Sequence, residues 1–480
     1  MRNNGIPCPL IVCAIGLCFS HGAVAAVWDF APRIYAAQTY TNNIQLTTDQ
    51  FAEDEWVTTI APGITLNGVG DRWNTYLDYE VQGLLFWRDE DRNNVFQVMT
   101  GGTEVEAIRE RFWISASAVN SQVVIDPTQP FASDNIFSEI NRTDAFRFEV
   151  SPNWIQPIGR LTEFELQYWY YLIDFEDDEI IASQTGTGDT ESNRARASYG
   201  SSDEAGRFGW SMFYDYETIN YQARIFDVTF EEAAVELNYE VGASTQIFGT
   251  YGAESDFSTP TGVHDGGLDA ERWSVGVRYR PNDRNSIEVS TGERFFGTTY
   301  GANWTYGGTH LTLIADYREG PTTYSREQFQ SANPESIDDI PIGDLPAISP
   351  LVFLSQRATF DINYTWTESS IYANYFDERR DFVDTRQDDH TMIYGAGWDW
   401  RFTPRTTLSL SGSVWNIDGA NLSQGQANDR VSVQLGLSTF LNPRSSLGFI
   451  VRNLQQDVTN IGTAEIEALS VQVSFTHTFN

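Results

Sequence analysis

Most side chains able to do chemistry in this sequence are arginines and carboxylates set at alternate positions. Between Glu271 and Tyr300, Arg272, Arg278, Arg280 and Arg294 fall on one parity with Glu288, while Trp273, Val275, Val277 and Tyr279 hold the other. The division recurs. Arg72, Asp78 and Glu80 alternate with Trp73, Leu77 and Tyr79, and Glu232, Glu236 and Glu240 with Val235, Leu237 and Tyr239. Asp316 and Arg318 likewise alternate with Ala315 and Tyr317. Such rows either form a polar path that hydrogen-bonds a hydrophilic solute or neutralise one another. Both readings require a polar interior, and neither names a solute.

Catalytic signals are absent. His264, His310, His390 and His477 share no metal-ligand spacing. His390 stands beside Asp388 and Asp389, but alternation brings no serine to complete a hydrolytic triad. The carboxylates Asp174, Glu176, Asp177, Asp178, Glu179, Asp189 and Glu191 could attract Ca²⁺, yet lack the regular ligand spacing of a calcium loop. No catalytic, metal or cofactor-binding residue is therefore assigned, and the chain reads as a non-enzyme.

Alternation at period two is the signature of strands with one apolar and one polar face. Here it repeats from end to end in units of roughly 20 residues per strand plus connection, the pattern of a transmembrane β-barrel. Turns of a common type, Pro281-Asn282-Asp283-Arg284, Thr403-Pro404-Arg405 and Asn442-Pro443-Arg444, alternate with longer polar stretches. Short turns are expected near Asn67, Glu106, Pro157, Asp203, Gly242, Asn282, Gly307, Thr367, Thr403 and Pro443. Opposite them lie eleven outer connections, including Asp126–Asn141, a tight turn near Gly297, and the longest, Glu319–Gln356. The count predicts a single antiparallel up-and-down barrel of about 22 strands (range 18–24), an even number as single-chain bacterial barrels have. A secreted β-sandwich or propeller would instead carry polar edges or blade motifs. The lumen-facing set is then Arg72, Asp78, Glu80, Glu232, Glu236, Glu240, Arg272, Arg278, Arg280, Glu288, Arg294, Asp316 and Arg318. The stretch 318–356, rich in proline, either folds into the mouth as a constriction or lies on the surface.

Residues 1–25 read as a secretory signal peptide: Arg2, an apolar run from Leu10 to Phe19, and Ala23-Val24-Ala25 before the cut. Cys8, Cys13 and Cys18 all lie in it, so residues 26–480, the barrel, carry no disulfide. All 30 basic residues are arginine, and the net charge of −36 excludes a nucleic-acid partner, whose phosphates need a basic patch. An aromatic content of 14% with mean hydropathy of −0.35 fits a barrel, where only alternate residues meet lipid and aromatics anchor at the interfaces. The location expected is the bacterial outer membrane, with its lipid and lipopolysaccharide as partners.

Two stretches carry a resemblance. Trp273 to Gly301, WSVGVRYRPNDRNSIEVSTGERFFGTTYG, resembles the signature region of the outer-membrane proteins associated with the PEP-CTERM/exosortase system. Thr39 to Ile44, TYTNNI, is similar to that family's mature N-terminus. The last strand, ending at Phe479 before Asn480, resembles the aromatic assembly signal of outer-membrane barrels. The resemblance implies a conduit or assembly component for exopolysaccharide export, working with polysaccharide and its secretion machinery. Two alternatives stand beside it: a general diffusion porin for small hydrophilic solutes, and a structural or adhesive surface barrel with a closed lumen.

Overall fold

The computed structural model describes residues 26–132, 134–137, 141–176, 187–202, 206–223, 227–258, 264–331, 348–385, 387–419, 426–459 and 463–479. The expected signal peptide, 1–25, lies outside them. A single sheet holds 23 strands; one is the two-residue bridge His264–Asp265, which leaves 22 long strands. Each long strand pairs antiparallel with the next, and Val27–Thr41 closes the ring on Thr463–Thr478, with Arg33 opposite Thr478 and Thr41 opposite Ser470. No described helix is long and apolar enough to cross a membrane. The strands make the crossing, because a closed barrel satisfies every backbone group without water.

Side-chain alternation decides which face is outside. In Ala270–Asn282, Trp273, Val275, Val277 and Tyr279 are exposed on the outer wall, whereas Arg272 and Arg278 are ion-paired inside. Outward aromatics gather near both strand ends. Trp56, Tyr251, Trp273 and Tyr300 lie toward the long connections, and Trp154, Tyr279, Trp304, Trp400 and Phe440 toward the short turns. These are the two girdles that seat a barrel at the membrane interfaces. Gly276 shows how the lumen wall is packed: a Cβ there would meet Phe248 at 2.4 Å and the Val289 carbonyl at 2.6 Å. Phe248 therefore lies across the glycine, and the Arg278 guanidinium stacks on it at 4.2 Å.

The repeated turns close by one device. Asn282 and Asn442 accept the backbone N–H two residues on, from Arg284 and Arg444 at 3.0 and 2.8 Å, and Thr403 does so for Arg405 at 3.3 Å. Asx and hydroxyl turns of this kind reverse a chain within two residues. At the opposite end the strands run further than their polar sequence suggests. Glu217 to Tyr221, Glu319 to Thr322, Asn416 to Gly419 and Gln455 to Thr459 are all strand, although their composition reads as loop. Beyond the hydrocarbon the ladder continues, with apolar residues such as Ile219, Ile417 and Val458 buried on its inner face.

Candidate functional site

The lumen is not a polar pipe throughout. At the long-connection end, lumen-parity positions are apolar: Val57, Leu84, Phe86, Phe96, Leu454, Val458 and Ile466 are buried. What buries them, together with Ile44 and Leu46 of the first connection, is the connection after Ile125. Its Ala132, Ile136 and Phe137 join that cluster, and Phe131 joins a second with Phe376, Ile393, Trp415 and Ile417. Burying these side chains drives the connection inward, because water in the lumen would otherwise cover them.

Two amides fix its position. The Gln456 side chain donates to the Phe131 carbonyl (2.7 Å) and accepts from the Phe131 N–H (3.2 Å), so it pairs with Phe131 as another backbone strand would. Asn428 donates to the carbonyls of Pro127 (3.2 Å) and Gln129 (3.0 Å). Both amides are fully buried.

A second inward segment is the helix Tyr324–Ser331 in the longest connection. Thr323 starts it: its carbonyl accepts from the Glu327 N–H (3.1 Å) and its hydroxyl from the Arg326 N–H (3.4 Å), an N-cap arrangement. Although polar in sequence, the helix is largely buried from Tyr324 to Phe329, where lumen side chains meet its polar groups. Arg147 donates to Gln328 Oε1 (2.9 Å), Gln328 to the Tyr324 hydroxyl (2.6 Å), and Ser325 meets the Tyr221 hydroxyl (3.0 Å). Burial pushes the Tyr324 phenol well above its ordinary range, so it stays neutral. Arg326 pairs with Glu217 (3.0 Å) and stacks on Phe230, and Phe329 packs on Tyr171 with ring centroids 4.4 Å apart. Glu327 pairs with Arg357, which also meets Glu378 at 2.8 Å; Glu378 in turn pairs with Arg380. The helix leaves the strand Leu311–Thr322 yet touches strands from Arg142–Ile158 to Val228–Glu240, so it reaches across the lumen. Further along, the Ile348 N–H donates to the Ile125 carbonyl (3.1 Å) and links the two inward segments. Of the two readings of stretch 318–356, its described part takes the inward one.

Between the helix, Phe257 of the neighbouring connection and the wall lies a cavity of about 240 Å³. Arg194, Asp215, Glu232, Glu254, Arg272, Arg294, Arg318, Arg326 and Glu327 line it, with Phe230 on the apolar side. Most of the wall arginines are paired: Arg194 with Asp215 (2.7 Å), Arg272 with Glu232 (2.5 Å) and Arg294 with Glu254. Glu232, Arg272, Arg294 and Arg318 of the sequence-derived set thus meet at one site.

The remainder of that set is distributed along the lumen. Glu236 and Glu288 bracket Arg278 at 3.2 and 2.8 Å, and Asp78 and Glu80 receive Arg33 at 2.5 and 3.3 Å. Asp316 accepts from Asn303 (3.1 Å). Three residues lie elsewhere than in the channel. Arg72 sits in the turn before Trp73, Glu240 ends its strand beside another turn, and Arg280 bonds Ser286 next to the irregular register at Asn282; all are exposed at the short-turn rim. Alternation fails for them because they are outside, or at the last residue of, the regular ladder. His390 lies at the opposite rim, 3.4 Å from Asp377. Asp177, Asp178 and Glu179 of the acidic loop are outside the described residues.

Sequence reasoning missed Arg326, Glu327 and Gln328 on the helix, and Asn428 and Gln456 beneath the first inward segment. A signal was present. Apolar residues at lumen parity, Leu454, Val458 and Ile466 among them, need a cover, and the apolar residues of PFASDNIF (Pro130–Phe137) are the match.

No family model and no curated protein matches the chain. Solved structures do. The FrpB iron transporter of Neisseria meningitidis (F5-1 variant) aligns with a TM-score of 0.52 and 10% identity, over 94% of this chain and 83% of that one. The siderophore receptor PirA of Acinetobacter baumannii aligns at 0.50 and 8%, over 94% and 80%. At these identities the likeness is one of fold. Together with the apolar outer belt and its two aromatic girdles, it identifies the chain as a 22-strand antiparallel β-barrel of the bacterial outer membrane.

Proposed function

We propose that the barrel is a passive channel for small hydrophilic solutes, with selection at the inward helix. One observation carries this reading: the charged cavity of about 240 Å³ lies inside the lumen, bounded by a helix that the wall holds through buried ion pairs. Its volume is below the roughly 300–1,000 Å³ of pockets for drug-sized ligands. Its lining alternates guanidinium and carboxylate, which suits hydroxyl-rich or zwitterionic solutes. Exopolysaccharide export, the role implied by the resemblance of Trp273–Gly301, demands more of the molecule. A polymer would have to displace both inward segments together with the amide and ion-pair contacts that hold them.

Planar-bilayer recording with purified barrel separates the readings. The expected outcome is small discrete conductance steps and liposome swelling with a monosaccharide but not with a long oligosaccharide. Replacing residues 324–348 by a short Gly-Ser link should raise the conductance several-fold. Wild-type protein that neither conducts nor admits monosaccharide would refute the proposal, and passage of long oligosaccharide at the monosaccharide rate would favour the exporter.

A further inference from the structure

Almost every lumen arginine near the cavity has a carboxylate, but a second group of arginines does not. Arg430 is buried, with its guanidinium against the rings of both Phe131 (4.6 Å) and Trp415 (4.9 Å). The charges that act on it are those of two more arginines, Arg452 and Arg142. Among the described residues Arg430 has no ion pair, and its Nε, like one terminal nitrogen of Arg142, is buried without a hydrogen-bond partner. Arg452 donates to Gln434 (3.0 and 2.7 Å) and lies 3.7 Å from Asp134, among the described residues the one acid within ion-pair reach of the trio. Asp126, on the same inward segment, spends its carboxylate on the Thr128 N–H and hydroxyl at 2.9 and 2.6 Å. Among the described residues, three guanidiniums thus have one carboxylate, that of Asp134, within ion-pair reach.

Buried charges without counter-charges are costly, and natural proteins pair them or place them where a ligand completes the set. Stacking on Phe131 and Trp415 offsets part of that cost but satisfies no N–H donor. Arginine's planar fork matches oxyanions, to which it donates two parallel hydrogen bonds. Access is provided by Arg452 and Asp134, whose side chains keep 18% and 23% of their exposure.

We propose that Arg142, Arg430 and Arg452 form an oxyanion site in the lumen, taking a small solute that carries a carboxylate or phosphate group. The site rests on the channel reading only for its role in transport; as a binding site it stands on its own. It places a cationic patch beside the first inward segment, separate from the charge-balanced cavity at the helix.

Calorimetric titration of the detergent-folded barrel at low ionic strength tests it, with acetate, inorganic phosphate and glucose as probes. Saturable binding of acetate or phosphate but not glucose is expected. Arg452→Gln and Arg430→Gln should each weaken it at least tenfold, whereas Arg278→Gln, in a paired set elsewhere in the lumen, should leave it unchanged. Arg452 is partly exposed, so its variant keeps the test decisive where Arg430→Gln does not fold. Preference between the two anions identifies the ligand group. Absence of saturable binding by wild-type protein, or binding undiminished in Arg452→Gln, would overturn the site. Anion binding by a barrel that does not conduct would retain the site and remove the channel.

Discussion

Glu378 shows how single residues hold this lumen together. It is fully buried, bonds Ser355, and bridges Arg357 and Arg380, themselves at most a few per cent exposed. The pairing does not make the charges cheap; it makes removal of one partner expensive, because the others stay buried without compensation. Glu378→Gln is expected to destabilise the folded barrel by about 3–5 kcal/mol, seen as a lower urea midpoint in lipid vesicles. Midpoints within error of each other would mean that water reaches these guanidiniums.

At the scale of elements, the helix Tyr324–Ser331 is short and polar, and in isolation eight residues would not stay helical. Tertiary contacts therefore maintain it, with the Thr323 cap as its local contribution. Thr323→Ala should cost about 1 kcal/mol of local stability, raising the opened fraction about fivefold. Limited proteolysis by trypsin at Arg326 should accelerate by a similar factor, since cleavage follows the open population when reclosing is fast. An unchanged rate would show that the ion pairs to Glu217 and Arg357 hold the helix without its cap.

For the whole molecule, the deciding division is between lipid and lumen. Val275, half exposed on the outer wall between Trp273 and Tyr279, lies at mid-depth of the apolar belt. Val275→Arg is expected to cost about 2–4 kcal/mol, the penalty of a guanidinium in hydrocarbon. Its lumen-side neighbour tolerates charge, so Ser274→Arg should cost much less, and equal losses in vesicle unfolding would contradict the assignment of faces. Strand number and closure were legible in the sequence because each follows from a repeated local rule: period two for the strands, and Asn or Thr before a two-residue reversal at Asn282, Thr403 and Asn442. The interior site was only half legible. Arg272, Arg294 and Glu232 could be placed by parity, but their meeting with Arg326 and Glu327 could not, since the helix arrives from a connection with no periodic signal.

Alternation along the chain specifies the barrel, its faces and its expected membrane, since lipid imposes the same pattern on every strand. What fills the lumen emerges from packing across the barrel. That depends on contacts between segments far apart in the chain, Phe131 with Gln456 across 325 residues and Gln328 with Arg147 across 181. Each is a matter of geometry across the barrel: hydrophobic pattern shows which stretch can cover an apolar wall, but not which side chains will meet. The lumen arginines are accordingly of two kinds: those met by wall carboxylates, as Arg272, Arg278 and Arg294 are, and the trio Arg142, Arg430 and Arg452, for which an anionic solute is proposed.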